Sequence, residues 1–179
     1  FDDYGIITDM KTEQHNTTIR RATRGDISSI TEIYNYYIEH TQVTFDLVAQ
    51  SLENREEWFV QFSDSGRYQI VVAEVDGVVG GYACSTQLRP KPAYDSTVET
   101  TIYVHPQHTG LGLGKALYGK LLDLLADEDV HRAYGVIAVP NEASVALHES
   151  FGYKHVGTLN EVGHKFDEYV DVAWYEKAL

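Results

Sequence analysis

The chain has 179 residues, enough for one full-sized domain, and its 43% hydrophobic and 23% charged content excludes fibrous and disordered classes. Fourteen Lys and Arg against 27 Asp and Glu give a formal charge of −13, which repels a phosphate backbone and argues against a general nucleic-acid partner. The lone Cys84 excludes an internal disulfide framework and a Cys-based zinc site, as suits a reducing cytoplasm. No apolar run reaches the ~18 residues needed to cross a bilayer, and the opening FDDYGIITDM has no cationic and apolar signal pattern. A soluble, cytoplasmic protein with no membrane partner is expected.

Residues 1–17 are polar and aperiodic and read as a tail or loose arm, so a single domain is expected over residues 18–179. A short strand, IRRA, opens it. Asp26 then reads as an N-cap, with Ile27, Ile30, Tyr34, Tyr37 and Ile38 at helical spacing behind it. A second helix is predicted after Ser51, carrying Leu52, Trp58, Phe59 and Phe62 toward the core. Tyr68 to Val75 and Val78 to Ser85 read as strands joined through Asp76-Gly77, a strong two-residue hairpin signal. From Ser96 to Val104, Val98, Thr100, Ile102 and Val104 alternate with Thr97, Glu99, Thr101 and Tyr103, which puts Glu99 and Tyr103 on the face away from the first set.

The glycine-rich turn TGLGLG at 109–114 opens a helix with Ala116, Leu117, Leu121, Leu124 and Leu125 on its apolar side. A strand from Ala133 to Ala138, a Pro140-Asn141 turn and a helix to Phe151 follow, with Gly152 suited to a left-handed stop. Tyr153 to Leu159 and Tyr169 to Tyr175 read as two last strands. The order predicts an α/β domain of the α+β type, with antiparallel hairpins first and a strand, glycine loop, helix, strand unit in the middle.

A glycine turn between a strand and a helix start presents backbone N–H groups and a positive dipole end, a general way to hold phosphate. The spacing is not Walker A, because Thr109 stands at the first Gly and Ala116 replaces the metal-binding hydroxyl. Nor is it the dinucleotide fingerprint, because Lys115 stands where a small residue belongs. Tight packing of a Gly-rich turn is the alternative that the loop alone leaves open.

IYVHPQHTGLGLGKALYGKLL resembles the acetyl-CoA motif of the GNAT N-acetyltransferases, Gln/Arg-x-x-Gly-x-Gly/Ala at the start of a central helix, and PNEASVALHESFGY is similar to their second conserved segment. RPKPAYDSTVETTIYV, EVDGVVGGYA, VTFD and VGHKFDEYVD resemble the phosphinothricin and methionine-sulfoximine acetyltransferase branch, so the likeness runs from about Ile19 to Trp174. The resemblance implies a GNAT fold, a mixed and mostly antiparallel central sheet with helices on both faces. It implies acetyl-CoA as cosubstrate, no metal, and a homodimer.

Residue by residue, the resemblance assigns Ile102, Tyr103 and Val104 to the strand that pairs with the pantetheine arm. Gly110, Leu111, Gly112, Leu113, Gly114 and Lys115 fall in the pyrophosphate loop, and Asn141 and Ser144 beside the cofactor arm. Thr109 departs from the pattern, since the family usually has Gln or Arg there, so phosphate affinity is expected to rest on backbone amides helped by Lys115. Glu99 matches the branch's catalytic Glu. An ammonium has no lone pair, so acyl transfer to an amine needs a base, and a positioned carboxylate is worth roughly 10² to 10⁴ in rate.

His148 falls where many GNAT enzymes carry a Tyr that serves the departing thiolate; a packed histidine bonded to a carbonyl is the alternative. Arg89 suits bidentate recognition of a carboxylate or phosphinate, while Lys91 reads as a solvated loop cation. Phe45, Tyr94 and Lys165 match segments near the family's substrate pocket. The expected activity is N-acetylation of a small amino-acid-like amine by direct transfer in a ternary complex. Acetylation of polyamines or aminoglycosides, which the −13 charge would attract, and a non-catalytic acyl-CoA-binding module are the alternatives.

Overall fold

The computed structural model describes residues 15–179. Fourteen residues of the expected tail therefore lie outside the described residues. His15 and Asn16 are not loose: the Asn16 N–H donates to Asp76 Oδ1 at 2.9 Å and His15 Nδ1 lies 2.7 Å from Asp76 Oδ2. β1 (Thr17–Arg21) starts at Thr17, inside the expected tail, and pairs antiparallel with β2 (Ile70–Val75). Asp76 and Gly77, at φ of 50° and 86°, turn β2 into β3 (Val78–Gln87) as the hairpin signal predicts.

The sheet continues with β4 (Thr97–Val104), β5 (Arg132–Val139), β6 (Lys154–Lys165) and β7 (Glu168–Ala178), in the order β1-β2-β3-β4-β5-β7-β6. Every pairing is antiparallel except β4 with β5. β6 runs well past the expected Leu159, because register shifts at His155/Gly157 and Leu159/Gly163 let an irregular stretch stay paired with β7.

Helices α1 (Ile27–His40) and α2 (Leu52–Phe59) cover one face of the sheet; α3 (Leu113–Ala126) and α4 (Glu142–Ser150) cover the other. The period-2 pattern of β4 sorts its side chains between the two cores. Val98, Ile102 and Val104 pack with Leu113, Leu117 and Leu121 of α3, whereas Tyr103 packs with Tyr82, Ile30 and Ile33 under α1. Thr100 is buried on the α3 face, its hydroxyl 2.6 Å from Tyr118 OH and 2.9 Å from Tyr153 OH.

Three local expectations are corrected. Asp26 does not cap α1 with its side chain. Its carboxylate accepts from the Thr23 N–H at 2.7 Å and is gripped by the Arg20 guanidinium at 2.7 and 2.8 Å, which ties β1 to the helix start. Leu52 is exposed, because the first residue of a short helix points past the sheet, while Ser51 caps α2 by accepting from the Asn54 N–H. Ala116 is also exposed, and Tyr118 and Leu122 take its expected place on the buried side of α3. Gly152, at φ 82°, ends the α4 segment as expected. No helix among the described residues is long and apolar enough to cross a membrane.

Candidate active site

β4 and β5 stay in register for only three pairs, ending at Glu99 opposite Tyr134. β4 remains paired with β3 as far as Val104, and β5 with β7 as far as Val139, so both strands stay regular while moving apart. The result is a wedge through the sheet whose walls carry backbone groups without a ladder partner across it.

A groove of about 710 Å³ occupies the wedge on the α3 and α4 side. The expected cofactor residues Ile102, Tyr103 and Val104 line it, as do Gly110, Gly112, Leu113, Gly114, Asn141 and Ser144. Leu111 and Lys115 do not: both are exposed on the outer side of the loop. Gly110 and Gly112 have φ of 81° and 76°, a backbone that only glycine adopts freely, and Gly112 is the N-cap of α3. No side chain caps α3, so the first N–H groups of the helix have no side-chain partner where Gly112, Leu113 and Gly114 line the groove. Thr109 does not replace the family's longer side chain, since its hydroxyl donates to the Pro106 carbonyl at 3.0 Å.

Asn141 caps α4, its Oδ1 accepting from the Ser144 N–H at 3.1 Å, which fixes the second wall of the groove. His148, buried, lines the same wall. Its Nδ1 lies 2.7 Å from the Ser144 carbonyl and so carries the proton, leaving Nε2 as a buried lone pair without a partner among the described residues, packed on Gly135. Burial holds the imidazole below its ordinary pKa.

A second cavity of about 260 Å³ lies on the α1 and α2 side of the wedge. Glu99, Thr101 and Tyr103 project into it from β4, joined by Phe45, Tyr34 and Arg55. The two spaces share Val43, Thr101, Tyr103, Val136 and Ala138, so they meet through the wedge. The Glu99 carboxylate makes no hydrogen bond or ion pair among the described residues. Burial pushes its pKa up, and the positive charge of Arg89 opposes that rise. Burial likewise pushes the Tyr34 phenol to about 12, so it stays a neutral donor to Asp46 Oδ2 at 2.9 Å.

The expected substrate residues divide. Phe45 lines the small cavity, and its ring packs so tightly on Gly163 that a Cβ there would sit 2.2 Å from Cε1. Lys165 is buried, but it does not line the cavity. Its Nζ donates to the Thr44 carbonyl at 2.8 Å and so holds the Phe45 loop from outside. Arg89 is exposed at the rim, its guanidinium 5.4 Å from the Trp174 ring, and Tyr94 sits exposed in a 3-10 turn outside both spaces.

Sequence reasoning missed Arg55, Tyr34, Thr101 and the pair Val136 and Ala138. Thr101 was legible, lying between Glu99 and Tyr103 on one strand face. Arg55 was not, because an arginine flanked by Glu53, Glu56 and Glu57 carries no sequence mark of burial.

Residues 19–174 match the acetyltransferase (GNAT) domain family. The chain is 47% identical over 164 residues to a phosphinothricin N-acetyltransferase of Streptomyces coelicolor, covering 90% of this chain and 95% of that one. It is 35% identical over 162 residues to an L-methionine sulfoximine/L-methionine sulfone acetyltransferase of Salmonella typhimurium, covering 90% and 94%. The fold superposes on a Sinorhizobium meliloti phosphinothricin acetyltransferase solved with acetyl-CoA at a TM-score of 0.85, with 32% identity over 91% of this chain and 88% of that one. The protein belongs to the GNAT acetyltransferase family.

Proposed function

We propose that the protein is an acetyl-CoA-dependent N-acetyltransferase for the primary amine of a small amino-acid-like acceptor of the phosphinothricin or methionine sulfoximine type. The observation that carries this reading is that an unpaired, half-buried Glu99 lines a small cavity that shares Thr101 and Tyr103, on the same face of β4, with a long groove bearing a phosphate-type loop. Two openings that share one wall suit two substrates held at once, hence direct transfer in a ternary complex.

Acetyl-CoA fits the residues of the groove. Gly112, Leu113 and Gly114 offer backbone N–H groups to the diphosphate, and the free edge of β4 at Ile102 to Val104 offers ladder partners to an extended amide arm. Bound there, acetyl-CoA supplies an activated acyl group with a thiolate as leaving group. Glu99 takes the proton of the incoming ammonium, directly or through a water, so that the nitrogen lone pair can form the C–N bond as the C–S bond breaks. A raised carboxylate pKa brings the base closer to the amine it must deprotonate. His148 is neutral with its Nδ1–H committed to Ser144, so we assign it to shaping the groove wall beside the departing sulfur, and the second proton that the acylated nitrogen must shed passes to the thiolate, directly or through a water.

We also propose a homodimer formed through β6, where Val156, Leu159 and Val162 stand exposed, with Phe166 of the following turn and Tyr169 of β7 beside them. The test of the whole reading is release of free thiol from acetyl-CoA in the presence of phosphinothricin, methionine sulfoximine and sulfone, polyamines and aminoglycosides. Turnover confined to the amino-acid-like amines supports it; turnover confined to polyamines or aminoglycosides, or none with any amine, contradicts it.

A further inference from the structure

Arg55 is a buried cation, 5% exposed, in the wall of the small cavity, and among the described residues it has no counter-ion and no side-chain hydrogen bond. It sits at the fourth residue of α2, and its guanidinium carbon lies 3.4 Å from the Trp58 ring centroid and 4.9 Å from that of Tyr34. Those rings satisfy the faces of the guanidinium. They leave its edge unsatisfied, because N–H groups point outward in the guanidinium plane and a ring packed on the face does not reach them. Nε and Nη2 are both buried without a partner. A buried, unpaired charge-assisted donor is among the costlier things a fold can retain.

No neighbouring group among the described residues supplies a counter-charge to Arg55. Tyr82, Cys84 and Thr86 close the cavity beside Arg55, and burial pushes the Cys84 thiol up to about 12, so it stays neutral and supplies no counter-charge. Asp46, the carboxylate on the adjacent loop, is occupied by Tyr34 OH at 2.9 Å. Glu99 lines the same cavity and is likewise unpaired, yet it forms no ion pair with Arg55. The cavity thus holds a base and a fixed cation, separate from each other, which matches a molecule carrying an amine and an acid group.

We propose that Arg55 is a specificity-determining residue that binds an oxyanion group of the acceptor, a carboxylate or phosphinate, through the free edge of its guanidinium. This rests on the proposed acetyltransferase reading and deepens it: the acceptor is anionic at a point buried in the α1 and α2 side of the site, and Arg55 is the inner anchor where the exposed Arg89 is at most an outer one. A polyamine or aminoglycoside would bring a second cation toward Arg55, so the cavity selects against the acceptors that the −13 surface charge would attract.

The test compares the wild type with Arg55→Gln on L-phosphinothricin, L-methionine sulfone and the α-amide of methionine sulfone, with acetyl-CoA as donor. The proposal expects KM for phosphinothricin to rise at least 30-fold, with KM for acetyl-CoA and kcat/KM for the amide changing less than threefold. An equal rise for methionine sulfone assigns Arg55 to the α-carboxylate; a rise confined to phosphinothricin assigns it to the side-chain phosphinate. Equal losses on acid and amide substrates overturn the proposal, since a purely structural stack on Trp58 would act on both alike. Unchanged kinetics on all three overturn it as well. Calorimetric titration of phosphinothricin into the protein keeps the two readings apart. If the wild type binds phosphinothricin without turnover and Arg55→Gln does not bind it, the acetyltransferase reading fails while the anion site stands.

Discussion

Glu99 and Tyr134 are the last pair in register between β4 and β5, and beyond them the two strands diverge for five residues each. The carboxylate therefore stands at the apex of the wedge, where the sheet stops being continuous, and it lines the small cavity two residues before Thr101, which cavity and groove share. Its position follows from the point at which a parallel pair ends, while its orientation follows from the period-2 pattern of β4 that turns Glu99, Thr101 and Tyr103 to one face.

The glycine loop gives the first prediction. A Cβ at Gly112 meets no protein atom within 4 Å, so a substitution there acts through backbone strain and through the space left for phosphate. Gly112→Ala should lower stability by roughly 1–2 kcal/mol, the usual cost of forcing an L-residue into the left-handed region. KM for acetyl-CoA should rise at least tenfold while KM for the amine stays level. Thermal melts and steady-state kinetics in both substrates check the two effects separately. A folded variant with unchanged acetyl-CoA KM would remove the loop from the site.

Arg89 gives the second. Its charge opposes the burial that raises the Glu99 pKa, and the base works only when ionised. Arg89→Ala should move the acid limb of the kcat/KM profile to higher pH. Because Arg89 is exposed, the loss in amino-acid affinity should stay within about fivefold, the scale of a solvent-screened pair. An acid limb that stays in place would separate Arg89 from Glu99.

The sequence read the local signals well. Asp76-Gly77 turns with two successive residues at positive φ, and the β4 alternation alone places Glu99 on the face away from Val98. The strand–loop–helix unit at residues 97–126 was legible for the same reason: each of its signals lies within a few residues. The wedge was not legible, since the end of register between β4 and β5 depends on strands 35 residues apart, Glu99 and Tyr134. Lys165 and Arg89 show the same limit. Both are cations in segments near the site, and only packing shows that one holds a loop carbonyl from outside and the other lies on Trp174 at the rim.

His148 gives the third prediction. Burial depresses its pKa, so the imidazole is neutral above its ordinary range and gains a proton only as pH falls below it. If it only shapes the groove, the activity lost in His148→Gln should be a constant factor from pH 7 to 9. A loss that deepens steadily toward low pH would instead mark His148 as the acid that protonates the thiolate.

The central claim is that Glu99 is the base for acetyl transfer, and the pH dependence of Glu99→Gln tests it most directly. Glutamine keeps the shape but cannot take a proton, so kcat at pH 7 should fall by roughly 10² to 10⁴ with KM for both substrates nearly unchanged. The deficit should shrink toward pH 9 to 10, because an acceptor amine with a pKa of about 9 to 10 is then increasingly neutral without help. Wild-type turnover at pH 7, or a deficit that does not narrow as the pH rises, would contradict the assignment.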